Sequence, residues 1–294
     1  MDKITGTGVA LITPFNEDFS IDFTSLKKLI NHQIEGGVDY LVVMGTTGES
    51  VVLSKSEKKE VVNFCKKINA GRLPIILGLG SNNTFALVEE IKSTDFDGID
   101  GVLSVSPYYN KPTQDGIYLH YKMIAEVCPL PIILYNVPGR TSSNMLPETT
   151  LRLAKDFENI IAVKEAGNNV HQYLELLRTK PQDFLVLSGD DDLALGVALA
   201  GGSGVISVIG QALPKEFSEM IRLGIAGKAK EAYKVHFDLM PITRLIFSEN
   251  NPAGIKAVLE ALDISKSHVR LPLVEATDKL KEDIKNALVD LGKR

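Results

Sequence analysis

The sequence predicts an α/β protein: a closed (β/α)8 barrel followed by a C-terminal three-helix extension. Eight short apolar, β-branched runs are bounded by Gly or Pro, and such near-continuous apolar strands are typical of a parallel sheet covered on both faces. The runs begin 20 to 35 residues apart, which is the length of one strand–helix unit. An open doubly wound sheet usually has a glycine-rich turn after its first strand. This chain reads ITPF at that position (residues 12–15), which favours the closed barrel.

Each of the eight runs is expected to form one strand of a TIM barrel. A strand that is buried on both faces needs no alternation of polar and apolar residues, so length and flanking residues define it. The predicted strands are residues 8–15, 39–45, 74–80, 101–108, 131–137, 160–166, 184–190 and 204–210.

Amphipathic stretches between these runs predict helices. Residues 22–35 carry apolar side chains at helical spacing, and residues 54–68 do the same. The second stretch opens with Ser54 and Glu57, three residues apart, which is the pattern of a capping box. Both segments are therefore expected to lie on the outside of the barrel.

The strand count assigns residues 1–224 to the barrel, which carries the functional site, and residues 225–294 to a C-terminal helical domain. Beyond residue 224 the sequence predicts no strand and three helices, at residues 228–247, 251–262 and 274–291. No linker or low-complexity tract separates the two parts.

Composition excludes several classes of protein. The 294 residues carry a formal charge of −5, so the basic surface of a general nucleic-acid binder is not expected. No apolar run approaches the roughly 18 residues of a membrane span, and the N-terminus lacks the pattern of a secretory signal. Cys65 and Cys128 are isolated thiols, which favours the cytoplasm, and no cluster with metal-ligand spacing is present.

Functional groups in such a barrel are expected where strands end, and the sixth run ends in a lysine. A lysine within an apolar strand is costly to bury unless it is paired or neutral. If residues 160, 162 and 164 share the inner face, Lys164 points into the barrel, where burial favours the nucleophilic neutral amine. That amine suits imine formation with a keto substrate. A lysine that reaches solvent or pairs with a carboxylate is the alternative.

Other strand ends also carry polar groups. Thr46 and Thr47 lie in the turn GTTGES, where backbone N–H groups can bind a carboxylate or a phosphate and the hydroxyls can relay protons or donate hydrogen bonds. A strand-to-helix turn with polar capping is the alternative. Tyr109 and Tyr135 follow or end two neighbouring strands and are suited to proton transfer or to core packing. Arg140 follows a turn and is suited to bidentate binding of a carboxylate, with a solvated surface position as the alternative. Two adjacent carboxylates after the seventh strand are expected to cap helices instead of binding a metal; they are Asp190 and Asp191.

Two blocks of the chain carry a resemblance to a known family. GTTGES at residues 45–50 is one, and YNVPGRT at 135–141, followed by VKEA at 163–166, is the other. SPYYNKP, LSGDD and GVISV agree as well. On these motifs the chain resembles the class I pyruvate-dependent aldolase family, and within it the dihydrodipicolinate synthases, from about residue 6 to at least residue 251.

The resemblance implies a role for each matching residue. Lys164 would form the Schiff base with pyruvate, and Tyr135 would transfer protons at the imine carbon. Thr46 would link Tyr135 to a second tyrosine, Tyr109, which family members donate across a tight dimer interface. The remaining matches imply a substrate-binding set: Thr47 for the pyruvate carboxylate, Arg140 for the carboxylate of L-aspartate 4-semialdehyde, and Gly189 and Ile206 as pocket-lining positions.

The implied reaction condenses pyruvate with L-aspartate 4-semialdehyde to 4-hydroxy-tetrahydrodipicolinate, in the diaminopimelate pathway to lysine. The imine is the electron sink, so the resemblance implies neither metal nor organic cofactor. It also implies a homo-oligomer, as a tight dimer or a tetramer. A sugar-acid aldolase such as N-acetylneuraminate lyase is the alternative enzyme, and a non-catalytic ligand-sensing barrel is the alternative from another class.

One departure from the family pattern concerns regulation. Members that are inhibited by lysine bind it at the dimer interface through histidines and a glutamate, among other residues. The matching positions here are Lys55, Lys58 and Ala86, although Ser50, Asn82 and Tyr108 remain. Two cations and a missing carboxylate disfavour a cationic ligand, so lysine inhibition is expected to be weak or absent.

Overall fold

A computed structural model describes residues 4–293, and within it eight parallel strands form a closed barrel. Each strand pairs with the next along the chain, and the last pairs with the first, which confirms the predicted TIM barrel. The strands are β1 (Gly6–Ala10), β2 (Tyr40–Val43), β3 (Ile75–Gly78), β4 (Gly101–Val105), β5 (Ile132–Asn136), β6 (Ile160–Glu165), β7 (Leu185–Ser188) and β8 (Gly204–Ser207).

Helices alternate with the strands and cover the outside of the barrel. They are α1 (Phe23–Gly36), α2 (Lys55–Asn69), α3 (Thr84–Ser93), α4 (Gln114–Val127), α5 (Pro138–Thr141), α6 (Pro147–Asp156), α7 (Val170–Thr179), α8 (Ala194–Leu199) and α9 (Pro214–Ile225). The predicted capping box is present: the Ser54 hydroxyl accepts from the Glu57 amide at 3.2 Å, and the Glu57 carboxylate accepts from the Ser54 amide at 2.8 Å.

The strands end earlier than the sequence predicts. The first predicted strand, 8–15, extends only to Ala10, and the fourth, 101–108, extends only to Val105. Pro14 and Pro107 lie in the segments that were predicted as strand but form loops, and a proline cannot donate to the hydrogen-bond ladder. The loops at this end of the barrel are therefore longer than predicted and carry more of the site.

The barrel interior is a packed apolar layer. A cluster of buried side chains fills it, with members on every strand: Ala10, Tyr40, Val42, Ile76, Leu103, Ile133, Tyr135, Ala162, Leu187 and Ile206. Tyr40 of β2 reaches past Gly8 of β1 and donates its hydroxyl to the carbonyl of Val205 of β8 at 3.1 Å. A Cβ at Gly8 would lie 2.1 Å from the Tyr40 ring, so only glycine leaves room for that ring.

The inner face of β6 differs from the prediction at one residue. Ala162 belongs to the inner cluster, whereas Ile160 packs in the apolar layer between the sheet and the helices. The cause is a register shift between Ile132 and Ile133 of β5, whose partners are Ile160 and Ala162. An irregularity of this kind changes the face of every residue before it, so the expectation that residues 160, 162 and 164 share one face is wrong for Ile160.

Three helices follow the barrel: α10 (Ala229–Ser248), α11 (Ala253–Ala261) and α12 (Asp278–Asp290). Their apolar side chains join the same core as those of α1, α2 and α9, among them Ile242, Ile246, Ile255 and Leu280. The division at residue 224/225 stays a prediction, and its outer bounds, residues 1 and 294, lie outside the described residues. Within residues 4–293, none of the helices has the length and apolarity needed to cross a membrane.

Candidate active site

The buried lysine lies at the end of β6, beside a tyrosine of β5. Lys164 is 6% exposed, and its Nζ lies 4.4 Å from the centre of the Tyr135 ring. The two residues are register partners in the parallel sheet, which places both side chains inside the barrel. Among residues 4–293 no carboxylate forms an ion pair with Lys164, so the alternative of a charge-paired structural lysine finds no support there.

Of the two predicted pocket-lining residues, Gly189 lies directly against Lys164. A Cβ at Gly189 would lie 2.8 Å from Lys164 Cε and 2.6 Å from the Cβ of Ala166, so a side chain there would displace the lysine. Ile206 is 1% exposed and belongs to the inner cluster that also holds Tyr135. The structure therefore places Tyr135 and Gly189 beside Lys164, and the pocket-lining role of Ile206 stays a prediction.

The carboxylate that follows Lys164 in the sequence faces the other way. Glu165 is 1% exposed and accepts hydrogen bonds from Asn136 Nδ2 at 2.9 Å, from Gln172 Nε2 at 2.8 Å and from the amide of Gly167 at 2.7 Å. Burial raises the pKa of Glu165 above its usual range. This network anchors the loops after β5 and β6 and leaves the Lys164 amine without an anionic neighbour from its own strand.

The turn after β2 is held from both sides. Residues Thr46–Gly48 form a single turn of 3-10 helix, in which Thr47 is buried and Thr46 is exposed. Thr13 donates its hydroxyl to the carbonyl of Gly48 at 2.7 Å. On the opposite side, Asn251 donates its side-chain amide to the Thr47 hydroxyl at 2.9 Å. Hydrogen bonds with Thr13 and Asn251 therefore fix the position of this turn in the fold.

Arg140 meets the same asparagine. It lies in the short helix α5 with its side chain exposed, and its Nη2 donates to the backbone carbonyl of Asn251 at 3.2 Å. Asn251 thus contacts both residues that were predicted to bind carboxylates, although Thr47 follows β2 and Arg140 follows β5. Sequence reasoning missed Asn251, because it lies 204 residues from Thr47 along the chain.

A buried ion pair also ties the extension to this turn. Lys256 and Glu49 have side chains that are 0% and 1% exposed, and the Lys256 amine donates to Glu49 at 2.5 Å. Lys256 also donates to the carbonyl of His268 at 2.7 Å, and the amide of Arg270 donates to Glu49 at 3.0 Å. Burial lowers the pKa of Lys256 to about 8, against the opposing attraction of Glu49. Sequence reasoning missed this pair as well.

Two predicted members of the proton relay are exposed on this chain. Tyr109 is 88% exposed, with a left-handed φ of +74°, and Thr46 is exposed in the turn after β2. Across residues 4–293 no hydrogen bond joins Tyr109, Thr46 and Tyr135. The relay therefore stays a prediction.

Asp190 and Asp191 bind backbone amides, as predicted. Asp190 accepts from the amide of Leu193 at 3.1 Å, at the start of α8. Asp191 accepts from Val208 and Ile209 at 3.0 and 2.9 Å, at the start of the 3-10 turn after β8. Burial raises the pKa of Asp191 to about 6. Both carboxylates thus stabilise the turns that follow β7 and β8.

The chain is similar to known proteins over nearly its whole length. A protein from Flavobacterium psychrophilum named 4-hydroxy-tetrahydrodipicolinate synthase is 56% identical over 288 residues, which cover 98% of this chain and 97% of the relative. The crystal structure of a chloride-inhibited dihydrodipicolinate synthase from Acinetobacter baumannii, complexed with pyruvate, is 38% identical and superimposes with a TM-score of 0.96 over 99% of this chain and 100% of the other.

A dihydrodipicolinate synthase variant described as monomeric superimposes with the same TM-score of 0.96 at 39% identity, over 100% of this chain and 98% of the variant. The sequence profile of the Dihydrodipicolinate synthetase family matches residues 3–291. The family match, the relatives and the barrel with its buried lysine agree with one another. The chain belongs to the Dihydrodipicolinate synthetase family.

Proposed function

We propose that this protein condenses pyruvate with L-aspartate 4-semialdehyde to give 4-hydroxy-tetrahydrodipicolinate, as a lyase of the diaminopimelate pathway to lysine. The observation that carries the proposal is Lys164: a buried amine, 4.4 Å from the Tyr135 ring centre, with no carboxylate partner among residues 4–293. The name of the 56% identical relative and the pyruvate complex of the Acinetobacter enzyme support the choice of substrates.

In the first step the Lys164 amine attacks the keto carbon of pyruvate, and loss of water leaves an imine. The protonated imine withdraws electrons, so a methyl proton is released and an enamine forms. Tyr135, next to Lys164, is suited to carry that proton. Thr47, held at the barrel mouth, is suited to donate a hydrogen bond to the pyruvate carboxylate.

In the second step the enamine carbon attacks the aldehyde carbon, and the aldehyde oxygen takes up a proton to become the hydroxyl group. The substrate amine then attacks the imine carbon, which closes the ring and releases Lys164 as a free amine. Arg140 lies at the barrel mouth with an exposed guanidinium, which suits it to hold the carboxylate of the semialdehyde.

We also propose that the protein acts as a homo-oligomer in the cytoplasm. Tyr109 is 88% exposed on its own chain, which supports a role at a neighbouring copy's site. A tight dimer would supply that neighbour, and two such dimers would give a tetramer. Both cysteines are free and buried, as expected for a protein of a reducing compartment.

The proposed function is tested by reduction with borohydride in the presence of pyruvate, followed by peptide mass analysis. An adduct on Lys164 is expected. An adduct on another lysine, or none, would contradict the proposal. The acceptor is tested separately, with L-aspartate 4-semialdehyde expected to react and N-acetylmannosamine expected to be inert; the reverse preference would favour a sugar-acid aldolase.

Replacing Arg140 by Met is expected to weaken the second substrate selectively. A charge-assisted hydrogen bond contributes about 1.5–3 kcal/mol, so KM for L-aspartate 4-semialdehyde should rise roughly 10- to 100-fold. The half-saturating pyruvate concentration in borohydride trapping should stay within about twofold, because Arg140 is not assigned to pyruvate. Arg152→Met, at another exposed arginine, is the matched control. Equal loss for both substrates would remove Arg140 from this role.

Inhibition by L-lysine is expected to be weak. Lys55 and Lys58 lie at the start of α2, and Ala86 is exposed on α3, so a cationic ligand would meet two cations and no carboxylate at these positions. Steady-state rates at about 1 mM L-lysine, the upper end of typical KM values, should fall by less than about twofold. Ala86→Glu should increase the inhibition. Strong inhibition of the unmodified protein would contradict the expectation.

A further inference from the structure

Asn251 contacts two other residues of the site, one through its side chain and one through its backbone. It lies between α10 and α11, is 6% exposed, and donates from Nδ2 to the Thr47 hydroxyl at 2.9 Å. Its backbone carbonyl accepts from Arg140 at 3.2 Å. One residue of the helical extension therefore contacts two groups at the barrel mouth.

The direction of the hydrogen bond determines what the threonine can still do. A hydroxyl has one proton to donate and two lone pairs. With the Asn251 amide nitrogen toward Thr47 Oγ1, a lone pair is occupied and the Thr47 proton stays free, while Asn251 Oδ1 is itself buried without a hydrogen-bond partner among residues 4–293. Thr47 is 3% exposed, and among residues 4–293 its hydroxyl takes part in one hydrogen bond, in which it accepts from Asn251. A buried donor without an acceptor is unfavourable until a ligand supplies one.

We propose that Asn251 is a positioning residue that directs the Thr47 proton toward the carboxylate of the bound keto acid. The inference rests on the proposed function. A side chain at position 251 that can only accept hydrogen bonds would accept one from the Thr47 hydroxyl. The carboxylate of the keto acid would then face the two lone pairs of that hydroxyl instead of its proton. The hydrogen bond from Arg140 to the Asn251 carbonyl holds the guanidinium, which is assigned to the carboxylate of the second substrate, in a fixed position relative to Thr47.

The test measures the pyruvate concentration that half-saturates borohydride trapping on Lys164. Asn251→Asp is expected to raise it about 10-fold or more, with the trapping rate at saturating pyruvate within about twofold of the unmodified protein. Asn251→Ala, which removes the donor without reversing it, should give a smaller increase. Asn250→Asp is the matched control, because it adds the same charge one residue away at an exposed position and should leave half-saturation unchanged.

The same substitution in a Thr47→Val variant distinguishes an effect of the Thr47 hydroxyl orientation from simple charge repulsion. Thr47→Val removes the hydroxyl, so adding Asn251→Asp to it should raise half-saturation by less than about twofold further. A full 10-fold further rise would overturn the inference. So would an unchanged half-saturation in both Asn251 variants when the unmodified protein is trapped normally. If the unmodified protein gives no Lys164 adduct, the proposed function fails and the inference fails with it.

Discussion

Replacing Lys164 by Met is expected to abolish condensation of pyruvate with L-aspartate 4-semialdehyde while leaving the protein folded. Without the amine no imine forms, so the methyl group of pyruvate has no electron sink. The rate should fall by roughly 10³-fold or more, which corresponds to about 4 kcal/mol of barrier. Steady-state turnover and borohydride trapping measure the two consequences independently.

Lys164→Arg keeps a long basic side chain beside the Tyr135 ring but removes the primary amine. Because a guanidinium cannot form the imine, this variant should be as inactive as the Met variant. The thermal midpoint of Lys164→Met should stay the same or rise, because a buried polar group without an ion-pair partner among residues 4–293 is removed. Lys155→Met, on the exposed side of α6, is the matched control. Retained turnover in either Lys164 variant would contradict the mechanism.

The barrel was predictable because its signals are local. Each buried strand is a short apolar run, and the number and spacing of the runs determine closure. The strand ends were less predictable, since Pro14 and Pro107 interrupt the ladder within apolar runs. The register shift at Ile132 has no sequence signal of its own, and it was enough to turn Ile160 to the other face.

The residues of the site also differ in how far the sequence predicts them. Lys164 was predictable because a lysine in an apolar strand requires an explanation, and Tyr135 lies at the register position beside it on the neighbouring strand. Asn251 was not predictable, because its partner Thr47 lies 204 residues away and no periodicity links them.

Lys256 is different, because a local signal was available. Every position of α11 except Glu260 is buried, and the segment AGIKAVLEA is apolar on both sides of this lysine. A helix of that kind lies in the core, and a lysine within it must find a partner. The cost of burying a lysine in an apolar segment, which marks Lys164 on β6, marks Lys256 on α11 as well. What the sequence could not supply was the identity of the partner, Glu49, which lies 207 residues away.

Replacing Lys256 by Met is expected to destabilise the protein strongly. Glu49 would keep the Arg270 amide as a donor, but its carboxylate would be buried without a countercharge. Removing one partner of a buried ion pair costs about 3–5 kcal/mol. Urea unfolding followed by circular dichroism, at one protein concentration, should show the lower midpoint. Lys285→Met, on an exposed position of α12, should change the unfolding free energy by less than about 0.5 kcal/mol.

The double variant Glu49→Gln with Lys256→Met distinguishes an unpaired charge from lost packing. A neutral glutamine side chain at position 49 still offers an oxygen to the Arg270 amide, so the double variant should be more stable than Lys256→Met alone. If both variants lose the same free energy, packing around the Lys256 stem is what matters, and the charge argument fails. Because Glu49 directly follows the Thr46–Gly48 turn, the single variant should also raise half-saturation for pyruvate, which links the helical extension to substrate binding through one buried carboxylate.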